Sequence, residues 1–269
     1  MTTLTHPAAA DSVVTGAQLV LEDVWKVFST SRHDVTALRE LSLEINAGEF
    51  VAVVGRSGCG KSTLLRMLTG LIPPSAGRIT LGGRPVDGPP REARCVFQDY
   101  AQSLLPWKTV GGNVRFGLRH AYEPSSGPRD ELVAHYLDLV GLRHAADRYP
   151  WELSGGMQQR AAIARALAAR PRLLLMDEAF SGVDALSRAK LQDVVLRAWA
   201  EAGLTVVFVT HDIDEAVYLA DRIVVLRPEG HGLLADLRVD LPRPRGQVST
   251  RELPEFLAYR RELLQLVLD

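Results

Sequence analysis

The sequence predicts an α/β fold with a mainly parallel sheet core, an antiparallel β subdomain and a helical subdomain. Three observations carry that prediction. Phe50 to Val54 is a short apolar run that ends at a glycine-rich loop and a helical stretch, Lys61 to Leu71, the opening of an α/β unit. Between about 99 and 170 the apolar spacing turns helical. Beyond that point short apolar runs alternate with helical segments, as a parallel sheet buried on both faces requires.

Residues 1–17, rich in Thr and Ala around Pro7 and Gly16, read as a disordered tail. Two β stretches, Gln18 to Phe28 and Val35 to Ile45, flank a polar linker and predict a meander. After the Phe50 unit, a strand Arg94 to Phe97 leads into helices at Val110 to Leu118, Asp130 to Val140 and Gly156 to Ala169, the last favoured by its alanines. Strands at Leu173 to Met176, Leu204 to Thr210 and Arg222 to Leu226 are separated by helices at Ala185 to Glu201 and Asp212 to Ala220. A strand Leu233 to Val239, a proline-punctuated stretch and an amphipathic helix Pro254 to Leu268 follow. The expected division is a main domain over 18–245, with the helical subdomain over about 99–170, and a C-terminal helical tail over 246–269.

The chain of 269 residues has 31 basic and 32 acidic side chains, a formal net charge of −1, so no global field draws it to nucleic acid or anionic lipid. Its 46% hydrophobic and 23% charged residues lie in the ordinary globular range. Cys59 and Cys95 have no paired spacing, which argues against a disulfide framework or a zinc site and fits a reducing compartment. No basic start precedes an apolar stretch and no run of about 18 apolar residues occurs, so neither a standard signal nor a membrane span is expected.

Gly55-Arg56-Ser57-Gly58-Cys59-Gly60-Lys61-Ser62 matches the phosphate-binding pattern GxxxxGK[ST], placed after a buried strand and at a helix start. The glycines admit backbone N–H groups to phosphates, Lys61 reaches the β- and γ-phosphates of ATP, the Ser62 hydroxyl can ligate Mg²⁺, and Thr63 can add an α-phosphate contact. Asp177 and Glu178 end the apolar run Leu173 to Met176, where α/β sheets bind ligands. Asp177 is placed to hold Mg²⁺ through its water shell and Glu178 to act as general base on the attacking water. In Leu153-Ser154-Gly155-Gly156-Met157-Gln158-Gln159-Arg160, a Ser and two glycines open a helix and make a second anion-binding end, which invites a partner subunit.

That octet resembles the signature of ATP-binding cassette (ABC) ATPases, and the resemblance extends from about Gln18 to Leu226 in the family's order. It implies a P-loop ABC ATPase fold. It also implies a head-to-tail dimer in which Ser154, Gly155, Gly156 and Gln158 of one copy face the P-loop of the other across ATP. Phe28 falls where the family stacks an aromatic on adenine, with a strand-core aromatic as the alternative reading. Gln98 resembles the glutamine that senses Mg²⁺ and water, and His211 the switch histidine that meets the γ-phosphate and holds Glu178. Asp184 matches the carboxylate of the inter-subunit loop. Ala179 and Ser181-Gly182-Val183-Asp184 depart from the family pattern, with Gly182 expected to loosen the loop. Cys59, at a helix N-terminus, is expected to be alkylated in a manner that ATP blocks.

The segment Val96 to Val110 and the stretch Val239 to Arg245 are similar to importers for nitrate, aliphatic sulfonates and taurine. In that subgroup Leu105, Pro106 and Trp107 lie beside the groove for a membrane-subunit helix; Trp107 is either such an anchor or a core aromatic. The resemblance implies an ATP-hydrolysing motor on the cytoplasmic side of the membrane, with two permease subunits, an indirect solute-binding partner and no nucleic acid. Two alternatives stay open, a P-loop small-molecule kinase and a non-transport ABC ATPase acting on nucleic acid.

Overall fold

A computed structural model describes residues 16–29, 34–99, 103–121 and 127–268. Residues 1–15 of the expected tail lie outside these, as do 100–102 of the importer-like segment. Gly16 and Ala17, assigned to that tail, instead belong to the fold: Ala17 is buried, Gly16 N–H donates to Gly203 O at 2.8 Å, and Thr205 Oγ1 donates to Ala17 O at 2.8 Å. These partners lie far along the chain, Thr205 being 188 residues from Ala17, where no local pattern reveals them.

β1 (Leu19–Ser29) and β2 (Asp34–Ile45) pair antiparallel, as the meander predicts. β3 (Phe50–Val54) leads into α1 (Lys61–Leu68), which stops three residues before the predicted Leu71. The reason is Gly70 at φ +68: its N–H donates to Met67 O and that of Leu71 to Arg66 O, the two bonds of a Schellman stop. β4 (Ala76–Leu81) and β5 (Arg84–Pro85), absent from the sequence reading, complete an antiparallel sheet of order β2-β1-β4-β5. Gly82 and Gly83, both at positive φ, turn β4 directly into β5, a two-residue hairpin that needs left-handed backbone at both positions.

β6 (Ala93–Val96) is followed by α2 (Val110–Arg119), α3 (Arg129–Leu139) and α4 (Gly155–Ala168), the helical subdomain. Then come β7 (Leu173–Asp177), α5 (Ala185–Ala202), β8 (Thr205–Val209), α6 (Ile213–Leu219), β9 (Arg222–Leu226), β10 (Leu233–Arg238) and α7 (Pro254–Leu268). The second sheet has the order β10-β9-β3-β8-β7-β6, parallel except for β10. Its central strands β3 and β8, and β7 up to Met176, are buried and almost wholly apolar because both faces are covered. Phe50, Ala52 and Val54 enter the core shared with the helices, whereas Val51 and Val53 enter the core shared with α1 and the antiparallel sheet.

The C-terminal segment joins this core, with Phe256 and Leu263 buried in it. Arg245 is fully buried, donating to the carbonyls of Val217, Tyr218 and Ala220 and pairing with Asp221, and so satisfies the end of α6. Burial lowers its pKa to about 10, so the guanidinium stays charged at neutral pH.

Candidate active site

β3, β6, β7 and β8 run parallel, so the loops at their C-terminal ends gather on one edge, and the predicted residues sit there. A cleft of about 780 Å³ is lined by Gly55, Ser57, Gly58, Gly60, Lys61, Ser62 and Thr63, together with Gln98, Glu178 and His211. Lys61 Nζ donates to Gly55 O at 2.6 Å and Arg56 O at 3.0 Å, which holds the loop around the ammonium. Gly60 has φ +95 and packs so closely under β2 that an added Cβ would lie 2.5 Å from Ala37 O. Gly60→Ala therefore combines left-handed strain of about 1–2 kcal/mol with a backbone clash. The expected result is a fall in melting temperature of at least about 3 °C with weakened ATP binding, read by calorimetry and nucleotide titration.

Glu178 is fixed from both sides. Gln98 Nε2 donates to its Oε2 at 2.9 Å and His211 Nδ1 lies 3.0 Å from its Oε1, while its own N–H donates to Val209 O at 2.9 Å. Its φ of +46 is left-handed backbone that glycine would adopt more easily, so a carboxylate is kept here at a conformational cost. Three loops from three strands thus converge on one carboxylate. The neighbouring Asp177 has its pKa raised by burial first and by the Glu178 charge second, with Lys61 and Arg66 opposing.

Arg56 and Cys59 do not line this cleft. The expected ATP-protected alkylation of Cys59 is corrected by its placement: the side chain is fully buried in the core between the two sheets, out of reach of a thiol reagent. Cys95 is no better a nucleophile, because burial and then Asp177 push its thiol pKa up.

Phe28, Ser154, Gly155, Gly156, Gln158 and Asp184 also lie outside the lining of the cleft. Phe28 is 39% exposed and pairs across the sheet with Val35, which does line it. Ser154 caps α4 by accepting from Met157 N–H, and Gln158 Nε2 donates back to Pro150 O and Leu153 O. Asp184 caps α5, accepting from Ser187 N–H at 3.0 Å; that bond comes first among the causes that lower its pKa. The loop before it is not loose. Ser181 N–H and Val183 N–H donate to Glu178 O and Phe180 O, and Arg188 NH2 holds Val183 O.

The sequence reading missed Thr210, Arg188, Glu215 and Glu229 near the site. Asp212 followed by Glu215 does carry a signal, the spacing of a capping box. The cap itself forms, with Asp212 Oδ1 accepting from Glu215 N–H, but the Glu215 side chain turns inward to Thr210 instead of back to Asp212 N–H.

Residues 38–181 match the model of the ABC transporter family. The nitrate import ATP-binding protein NrtC of Synechococcus elongatus is 47% identical over 86% of this chain and 35% of its own length; this chain thus spans about a third of that relative. NrtD, another nitrate import ATP-binding protein of the same organism, is 40% identical over 97% of this chain and 95% of its own. Among solved structures, the dimeric post-hydrolysis state of the ATP-binding cassette MJ0796 bound to ADP and Pi matches with a TM-score of 0.74 and 31% identity, covering 82% of this chain and 98% of that one. With the GxxxxGK[ST] loop, Asp177, Glu178 and His211 assembled on one sheet edge, this chain belongs to the ABC transporter family of ATP-binding cassettes.

Proposed function

We propose that the chain is the ATP-hydrolysing motor subunit of an importer, working as a head-to-tail pair with two membrane permease subunits on the cytoplasmic side of the membrane. The observation that carries this reading is Glu178 held between Gln98 and His211 at the mouth of the phosphate-loop cleft. Glu178 takes the proton of the attacking water, His211 and Gln98 hold the carboxylate in line, and Lys61 exchanges its loop carbonyls for the β- and γ-phosphates. Ser62, Gln98 and Asp177 can each offer an oxygen ligand, and Asp177 is a half-buried carboxylate whose pKa is raised by desolvation and then by the neighbouring Glu178 charge, which a cation would offset, so the set fits Mg²⁺. Among the described residues no group of three His, Cys, Asp or Glu could hold a metal alone, consistent with a cation completed by phosphate and water. When bound, Mg²⁺ neutralises charge developing on the phosphates.

The signature residues, Ser154 exposed and Gly155, Gly156 and Gln158 half-buried at the start of α4 and all outside their own cleft, suit a second copy whose cleft they close. Phe28 is left beside the cleft as the adenine platform, and Asp184 beside the partner. No helix among the described residues is long and apolar enough to cross a membrane, which fits a peripheral motor docked on separate permeases. Trp107 is 70% exposed, which supports the reading of it as an anchor for the membrane-subunit helix over that of a core aromatic. A solute-binding protein acts indirectly through the permeases.

The solute is nitrate, an aliphatic sulfonate or taurine, with nitrate favoured by the names of NrtC and NrtD. The test is growth of the host lacking this gene on nitrate as sole nitrogen source, and on taurine or an alkanesulfonate as sole sulfur source. A defect on one of these, restored by the wild type and not by Glu178→Gln, is the expected result. Normal growth on all of them overturns the solute assignment.

A further inference from the structure

Beside the cleft, Glu178 and His211 also line a second, smaller pocket of about 90 Å³, which Glu215 of α6 lines as well. This carboxylate is only 5% exposed and takes no part in the chemistry derived above. Its Oε2 accepts from Thr210 Oγ1 at 3.0 Å, and that same hydroxyl accepts from Asp212 N–H at 3.0 Å. The two bonds clamp the backbone on either side of His211, while Thr210 N–H is tied to Val53 O on the strand that carries the phosphate loop. Its Oε1 accepts from Gln192 Nε2 at 3.1 Å. The orientation of that amide is fixed from behind, because Gln192 Oε1 accepts from Gln247 Nε2 at 3.3 Å and Arg251 NH2 at 3.4 Å, so an N–H and not a carbonyl must face Glu215. Arg188 of α5 stands across the cavity, its Nε 3.9 Å from Glu215 Oε1 and its NH2 on Val183 O of the loop that leads to Asp184.

From this arrangement we infer that Glu215 is a positioning residue for hydrolysis: ionised, it accepts from Thr210 and Gln192 and sets His211 against Glu178, linking that switch to the 181–184 loop. The inference rests on the ATPase reading above. A buried carboxylate in this place is expensive and is not needed for packing, and a cap by Asp212 alone would complete the helix start. The charged groups that face it are Arg188 from α5, Asp212 at its own helix start, and Glu178 and His211 across the cavity. Burial and then Asp212 raise its pKa to about 7, against Thr210, Arg188 and Gln192, so the ionised form dominates only above neutrality. Protonation puts a donor where Thr210 also donates, and the clamp on His211 slackens.

Glu215→Gln, Thr210→Val and Thr210→Ser test this. The His211 imidazole proton resonance, assigned by its loss in His211→Ala, is followed in the nucleotide-free protein, and kcat and KM for ATP are measured from pH 6 to 8. Glu215→Gln and Thr210→Val are expected to move or broaden the His211 resonance, and to lower kcat about tenfold at pH 8 with KM within about twofold. Thr210→Ser, which keeps the hydroxyl, restores both. The wild-type to Glu215→Gln ratio of kcat falls toward one at pH 6, where the wild-type carboxyl is itself protonated. Because the glutamine removes a buried charge, its melting temperature at pH 8 is expected to equal or exceed that of the wild type, which separates positioning from unfolding. An unchanged His211 resonance in Glu215→Gln and Thr210→Val overturns the inference, whether or not the wild type hydrolyses ATP. A wild type without ATPase activity but with the shifted resonance overturns the ATPase reading alone.

Discussion

Glu178→Gln is expected to bind ATP with near-normal affinity and to lose hydrolysis by at least about 100-fold, the usual contribution of a positioned general base. The amide keeps the volume of the carboxylate and one acceptor, so Gln98 or His211 retains a partner, but it cannot take a proton from water. Since ATP is bound and not spent, the paired form accumulates. Phosphate release measures the chemistry, and size-exclusion chromatography in ATP and Mg²⁺ measures the pairing. A variant that remains monomeric under those conditions contradicts the shared-site arrangement proposed for Ser154, Gly155 and Gly156. A variant that hydrolyses at the wild-type rate removes Glu178 from its role.

The second large effect lies at Lys61. Its ammonium is gripped by the carbonyls of Gly55 and Arg56 at the wall of the cleft. Lys61→Ala deletes the one lysine lining that cleft and with it charge-assisted bonds of about 1.5–3 kcal/mol. ATP affinity is expected to fall by at least about tenfold, and hydrolysis with it. Fluorescent-nucleotide titration checks the first and phosphate release the second. Unchanged affinity would mean that helix α1 and the loop amides hold the phosphates without the lysine.

These two sites were legible in the sequence because each is local. A phosphate loop is eight consecutive residues whose glycines, lysine and hydroxyl act through backbone and side chains of one turn, and the Asp177-Glu178 pair marks a strand end. The parallel sheet was legible for a similar reason, since a strand buried on both faces must be apolar throughout. Helix α1 was overextended because the Gly70 stop depends on a left-handed backbone that a Gly in sequence permits without requiring. The hairpin at Gly82-Gly83 carried a turn signal, yet its strand begins Ala76-Gly77-Arg78, and the weak alternation hid it. There Gly77 is held at φ +77 so close to β1 that an added Cβ would lie 2.2 Å from Asp23 O, a demand of the partner strand and not of its neighbours in sequence.

Residue identity by itself determined the chemistry: which groups can cradle phosphate, ligate Mg²⁺ or accept a proton. Only the tertiary structure decided which of them meet. Gln98 and Glu178 are 80 residues apart and touch because β6 and β7 are neighbours in the sheet, and His211 joins them because β8 lies on the other side of β7. Burial was decided the same way. Cys59, in a loop most of whose residues line the cleft, is turned into the core, and Glu215, one of two acidic residues on a short helix, becomes a buried carboxylate beside His211. Side-chain exposure and charge state depend on what packs from distant parts of the chain, and no local pattern contains that information.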